Sequence, residues 1–153
     1  MQKILFVCLG NICRSPLAEG IMLKLIAEKN LNLQVDSAGT AKFHVGEAPD
    51  ARTITNAKNH DVNLTALRAR QFSEKDFDEF DTIYVMDSSN LTNVLAIAKN
   101  DNHTQKVELF LNSLHPNKQM EVPDPYFGGD EGFEDVFNLV YSACEKIAEK
   151  HVL

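Results

Sequence analysis

Ile4-Leu5-Phe6-Val7-Cys8-Leu9-Gly10-Asn11-Ile12-Cys13-Arg14-Ser15-Pro16 is the stretch around which the rest of the 153-residue sequence organises itself. Its apolar run at 4–8 reads as a buried strand, and Gly10-Asn11 breaks that run into a short loop. Glycine and asparagine reach positive φ most cheaply, which lets successive backbone N–H groups turn into one concave nest, and such nests bind anions. Ser15-Pro16 reads as a helix start, with Ser15 as N-cap and Pro16 at the first helical position, where its missing N–H costs nothing. Cys8 then lies in the positive field of the loop and helix N-terminus and beside Arg14, conditions that favour a thiolate at neutral pH. Arg14 adds a planar fork of donors suited to two phosphate oxygens. A strand end, a Gly-Asn turn and an ordinary buried cysteine need no chemistry. Strand, cysteine, loop, arginine and capped helix in one unbroken run point instead to a phosphate cradle holding a sulfur nucleophile.

Outward from this unit, apolar runs alternate with helical patterns. A helix is expected over 17–29, with Leu17, Ala18, Ile21, Met22, Leu25 and Ile26 on one face, then a strand near 33–37. Helices are expected over 50–60 and 88–99, strands over 82–86 and 107–111, and a loop rich in Pro, Gly and Asp over 112–132. A last helix covers about 132–151, where Phe133, Val136, Phe137, Val140, Cys144 and Ile147 recur at helical spacing and make Cys144 a core residue. The predicted fold is α/β: a doubly wound parallel sheet of about four strands with helices on both faces and the phosphate-binding loop after the first strand. Ligands of such sheets bind at strand carboxyl ends where strand order reverses, and Cys8 ends the first strand.

Residues 1–153 are expected to form a single domain, long enough to bury about two-thirds of the unfolded chain's surface. The net charge of −7 argues against nucleic acid or an anionic membrane as partner. No segment approaches the ~20 apolar residues of a membrane span, and the first apolar run is too short for a signal peptide. Two of the three cysteines share one loop, which makes no disulfide framework and fits a reducing, cytoplasmic compartment. Cys8 and Cys13 are spaced C-x4-C without a second ligand pair, and His44, His60, His103, His115 and His151 fall in no metal-binding spacing. The expectation is no metal and no cofactor, with surface and loop roles for the histidines.

Four segments together, V-C-L-G-N-I-C-R-S-P at 7–16, D-S-A-G-T at 36–40, M-D-S-S-N at 86–90 and D-P-Y-F at 124–127, resemble the low-molecular-weight protein tyrosine phosphatases, and the resemblance runs from end to end. It implies a cysteine-dependent hydrolase of protein phosphotyrosine and other aryl phosphates, with acid phosphatase activity. Cys8 is then the nucleophile of a cysteinyl-phosphate intermediate. Arg14 and the N–H groups of Leu9, Gly10, Asn11, Ile12, Cys13 and Ser15 are implied to hold the phosphate oxygens. Ser15 is implied to donate to the Cys8 sulfur, and Asn11 with Ser37 to hold the loop in shape. Asp124 is the implied acid and base, and Pro125 biases it toward an extended arm on a Gly-rich loop. Tyr126, Phe127 and Phe43 are the implied apolar walls that admit a phenyl ring to the sulfur.

Departures from the family pattern bear on regulation and support. Phe127 stands where some relatives carry a second phosphorylatable tyrosine, and Leu67 where mammalian relatives carry a histidine buttressing the loop asparagine. The spacing of Cys8 and Cys13, with the family precedent, makes a peroxide-induced protective disulfide an expectation. Arsenate reductases of this fold need two further downstream cysteines, and only Cys144 is present. Protein arginine phosphatases place threonine where this chain has Ile12, which favours tyrosine. A non-catalytic phosphotyrosine-binding module should lack the nucleophile or the acid, and this chain keeps Cys8, Arg14 and Asp124. The implied partners are a tyrosine-phosphorylated protein and a tyrosine kinase, the protein itself being a monomer or weakly self-associating.

Overall fold

A computed structural model of the chain describes residues 1–125 and 129–151. The chain runs β1 (Gln2–Cys8), α1 (Arg14–Lys29), β2 (Leu33–Gly39), α2 (Ala51–Asn59), α3 (Asp76–Glu79), β3 (Thr82–Val85), α4 (Ser88–Leu95), α5 (Asp101–Gln105), β4 (Val107–Leu109), a 3-10 turn (Phe110–Ser113) and α6 (Asp130–Glu149). The strands form one parallel sheet in the order β2-β1-β3-β4.

β1 is the hinge of this topology, and its alternating side chains feed two cores. Ile4, Phe6 and Cys8 face α1 and α6, joining Leu17, Ile21, Met22, Val136, Phe137, Val140 and Cys144. Leu5 and Val7 face the opposite layer, with Phe72, Phe77, Ile83, Val85 and Val94. Phe6 stacks on Tyr84 at 6.0 Å and meets Phe110 edge-on at 5.6 Å, so the first strand is pinned at its centre by aromatic packing. Register brings Cys8 opposite Gly39 and Val7 opposite Val85, so the carboxyl ends of β1, β2 and β3 lie together at the reversal of strand order. Among the described residues no helix is long and apolar enough to cross a membrane.

The strand expected over 107–111 ends at Leu109, where the 3-10 turn begins, and α3 forms where no helix is expected; the structure departs from the sequence expectations in three further places. α1 begins at Arg14 with Cys13 at its N-cap and no side-chain cap, so Ser15 is not the N-cap but lies within the first turn. Its hydroxyl is instead engaged with Cys8 and Asn11, and Pro16 still falls where a missing N–H breaks no helical bond. The helix expected over 88–99 ends at Leu95, and the separate turn α5 follows, capped by Asn100 through His103 N–H at 2.9 Å. The third difference is in the loop: Asn11 takes positive φ at 57°, but Gly10 is not among the positive-φ glycines. A Cβ on Gly10 would lie 3.0 Å from His44 Cδ2, so any other residue there would press on the His44 ring.

Candidate active site

Behind the loop after β1 lies a buried chain of hydrogen bonds. Asn11 donates through Nδ2 to Ser15 Oγ at 2.8 Å and to Ser37 Oγ at 2.9 Å. Ser37 donates through its own hydroxyl to Glu19 Oε1 at 2.5 Å. Ser15 Oγ accepts from Asn11, so its single proton is left for Cys8 Sγ at 3.0 Å or, at longer reach, Ala38 O at 3.4 Å. Asn11, Ser15, Ser37 and Glu19 are all buried. The side-chain oxygen of Asn11 accepts from Arg70 N–H at 3.0 Å, so the amide is held by backbone at the place where Leu67 supplies no histidine. Arg70 is itself fixed between Asp36 and Asp76, at 3.1 Å and 3.0 Å.

Gly39 closes the back of the loop. A Cβ on it would stand 2.7 Å from Leu9 O and 3.0 Å from Asn11 N, so only glycine lets β2 lie against the loop. Thr40 and Ala41 then donate backbone N–H groups to Cys8 O and Leu9 O at 2.9 Å each.

On the other side Arg14, 3% exposed, donates through Nη1 to Asp87 Oδ2 at 2.7 Å and to Val122 O at 2.9 Å. Burial alone would lower its pKa, but the charges of Cys8 and Asp87 outweigh that and hold it above its ordinary value. Asp87 also caps α4 by accepting from Asn90 N–H at 2.8 Å, so the arginine is oriented by a residue fixed at a helix start. Asp124 Oδ2 lies 3.8 Å from Arg14 Nη2, at the more exposed mouth of the site.

Cys8, Leu9, Gly10, Ile12, Cys13, Arg14, His44 and Asp124 line one cleft of about 210 Å³. A larger depression of about 400 Å³, between Ile54, Lys58 and Asp61–Thr65, contains no cysteine and no arginine. Asn11, Ser15 and Ser37 support the loop from behind rather than line the cleft. Phe43 is 80% exposed beside it, and its neighbour His44 turns in, held by Glu47 Oε2 at 3.0 Å from Nδ1. Tyr126 and Phe127 lie outside the described residues. His103 departs from the expected surface and loop role, being buried and stacked on Phe77 at 4.4 Å, whereas His44 stands in a loop as expected and from there lines the cleft.

The thiols divide by environment. Burial pushes Cys13 up to about 12, and the negative charge of Asp50 adds to the rise, so it is a thiol at neutral pH. Burial also pushes Glu19 up to about 7, opposed by the hydrogen bond from Ser37. Among the described residues no group of three or more His, Cys, Asp or Glu side chains is arranged to hold a metal ion.

Glu19, Gly39, Arg70 and Asp87 are the supports that the sequence reading did not single out. Glu19 had a local signal, standing four residues after Ser15 on the same helix face among Leu17, Ala18 and Ile21. Asp87 had one as well, an aspartate before Ser88-Ser89-Asn90-Leu91 being a helix-start pattern.

A sequence-family model described as low molecular weight phosphotyrosine protein phosphatase matches residues 3–152. The low molecular weight phosphotyrosine protein phosphatase of Sus scrofa is 41% identical, over 97% of this chain and 95% of its own. A crystal structure of a protein tyrosine phosphatase from Entamoeba histolytica, with Hepes in its active site, superposes with a TM-score of 0.91 at 38% identity, covering 98% of this chain and 96% of that one. The crystal structure of a Drosophila arginine phosphatase superposes with a TM-score of 0.89 at 35% identity, covering 97% of each chain.

Proposed function

The chain belongs to the low molecular weight phosphotyrosine protein phosphatases, cysteine-dependent hydrolases, and we propose that Cys8, Arg14 and Asp124 carry out its hydrolysis of protein phosphotyrosine. The observation that carries this reading is one cleft in which a sulfur facing a hydroxyl at 3.0 Å, a buried guanidinium and a carboxylate at its mouth converge.

In the first step the Cys8 thiolate attacks phosphorus in line. The S–P bond forms as the P–O bond to the aryl group breaks, and its electron pair leaves on the phenolic oxygen, which takes a proton from Asp124. Arg14 and the loop N–H groups of residues 9–15 hold the three equatorial oxygens, on which charge is spread in the transition state. Asp87 and Val122 O occupy Nη1 of Arg14, which fixes the guanidinium before substrate arrives. In the second step water attacks phosphorus, Asp124 takes its proton, and the S–P pair returns to sulfur, which the Ser15 hydroxyl stabilises. Inorganic phosphate leaves and Cys8 is regenerated.

Ile12 in the cleft and exposed Phe43 beside it supply apolar surface for a phenyl ring, and Tyr126 and Phe127 would complete the wall. Ile12 favours phosphotyrosine over phosphoarginine, the second reading that the likeness to an arginine phosphatase keeps in view. Residues 1–153 would act as one phosphatase domain, cytoplasmic, monomeric or weakly self-associating, opposing a tyrosine kinase on shared protein substrates.

Metal-free phosphate release from p-nitrophenyl phosphate by wild type and Cys8→Ser, followed by phosphotyrosine and phosphoarginine peptides, tests these assignments. Turnover that survives in a folded Cys8→Ser protein removes the nucleophile. Preferential release from phosphoarginine replaces the substrate class.

A further inference from the structure

Asp124 can protonate a leaving group only while its segment is held over the cleft, and the bonds that hold it converge two and three residues upstream. Val122 is 1% exposed, its N–H donates to Met86 O at 2.8 Å, and its carbonyl accepts from Arg14 at 2.9 Å. One residue earlier, the exposed Glu121 accepts through Oε2 from the backbone N–H of Ser88 at 2.6 Å. That bond holds the Glu121 carboxyl below the ordinary range despite its exposure. Ser88 is the first residue of α4, directly after Asp87, the residue that orients Arg14.

Pro123 and Pro125 flank Asp124. Each fixes its own φ and restricts the residue before it to extended dihedrals, so Val122 and Asp124 have little freedom to absorb a shift at 121. A displacement at Glu121 is therefore transmitted to Asp124.

We propose that Glu121 is a positioning residue for the general acid. Its bond to the first N–H of α4 ties the acid's arm to the helix start that orients Arg14, so one rigid element sets both the proton donor and the phosphate-binding guanidinium. The proposal rests on the reading of Asp124 as the acid. Glu121 touches no reacting atom, and its loss leaves the Ser88 N–H to water at an exposed helix end, so the fold should survive.

The test is kcat/KM for phenyl phosphate and for 2,4-dinitrophenyl phosphate, whose leaving group needs no proton, in wild type, Glu121→Ala, Glu121→Gln and Asp124→Ala. Glu121→Ala is expected to lose about three- to tenfold on phenyl phosphate and less than about twofold on the activated ester. Glu121→Gln keeps an amide oxygen that can accept from Ser88 and should return the ratio of the two substrates to within about twofold of wild type. Equal losses on both esters, no loss, or a glutamine variant as impaired as alanine overturns the proposal while Asp124→Ala keeps its leaving-group dependence. If Asp124→Ala shows no such dependence, the acid assignment fails, and the role of Glu121 falls with it.

Discussion

Glu19 ends the hydrogen-bond chain that begins at the Cys8 sulfur, and its burial has a measurable consequence for stability. It is 9% exposed, and burial raises its carboxyl from the ordinary 4.5 to about 7, with Asp36 adding to the rise and the Ser37 hydrogen bond and Arg70 opposing it. Below the unfolded value the group is protonated in both states and has no effect on the folding equilibrium. Between that value and about 7 the folded protein keeps a proton that the unfolded chain has released, so stability falls as pH rises through this window. Above about 7 the full cost is present, about 3 kcal/mol at 1.36 kcal/mol for each tenfold change in the proton equilibrium. Glu19→Gln removes the titration but keeps an oxygen that can accept from Ser37. Urea unfolding of both proteins at a series of pH values between 5 and 8 isolates this group, because titrations of groups that do not interact with Glu19 cancel in the difference and Asp36 and Arg70 stay charged over that range. The variant should gain about 2.5 kcal/mol on wild type from pH 5 to pH 8, since part of the cost is already present at pH 5, or about 5–10 °C in Tm for a chain of this size. A difference that stays constant over that range would refute the argument that burial penalises a charged Glu19.

Two further predictions concern the loop. In Gly39→Ala the new Cβ meets backbone atoms of Leu9 and Asn11 that cannot swing away, so the loop must move. A stability loss of about 1–3 kcal/mol and a fall in kcat/KM of more than tenfold are expected from melts and p-nitrophenyl phosphate kinetics, and wild-type kinetics would show that the loop tolerates the shift. Cys13 is held near 12 by burial, so after peroxide oxidation of Cys8 a protective disulfide must wait for a rare Cys13 thiolate. The fraction of peroxide-treated enzyme recovered by dithiol should rise as pH is raised from 6 to 8, with a Cys8–Cys13 link by mass. Recovery independent of pH, or no such link, would exclude Cys13 as the resolving thiol.

Much of the fold was legible because it rests on local periodicity. β1, α1, β2, α2, β3, β4 and α6 all carry apolar patterns of sufficient length, and each stands within a few residues of its expected place. α3 and α5 span four and five residues, too short for a helical period to emerge, and each is organised by a side chain gripping backbone: Asp76 on Ser73 N–H and Asn100 on His103 N–H. The N-cap role of Ser15 failed for a related reason. A serine before proline is a sound helix start in isolation, but here Asn11 and the Cys8 sulfur compete for the same hydroxyl, and both come from a loop whose shape is set by β2.

The site divides along the same line. Cys8 to Arg14 was readable because nucleophile, loop and guanidinium lie within one turn of chain, whereas Asp124 entered only through family resemblance, since nothing in residues 112–125 alone links it to a cysteine more than a hundred residues away. The resemblance already implied Asn11, Ser15 and Ser37 as supports of the loop, whereas the bonds that hold Arg14 and the Asn11 side-chain oxygen were not readable. Arg14 is bonded to two segments, at Asp87 and Val122, and Asn11 to three, at Ser15, Ser37 and Arg70. The contacts to Ser37 and Asp87 exist because β1 lies between β2 and β3, which brings the ends of both neighbouring strands to the loop. The proposed nucleophile and guanidinium can therefore be read from local chemistry, whereas supports such as Arg70 and the Val122 carbonyl emerge only from the fold. Variation at Glu19 or Arg70 should accordingly change the loop's geometry, at Asp87 the orientation of Arg14, and at Glu121 the placing of Asp124, while leaving Cys8, Arg14 and Asp124 themselves in place.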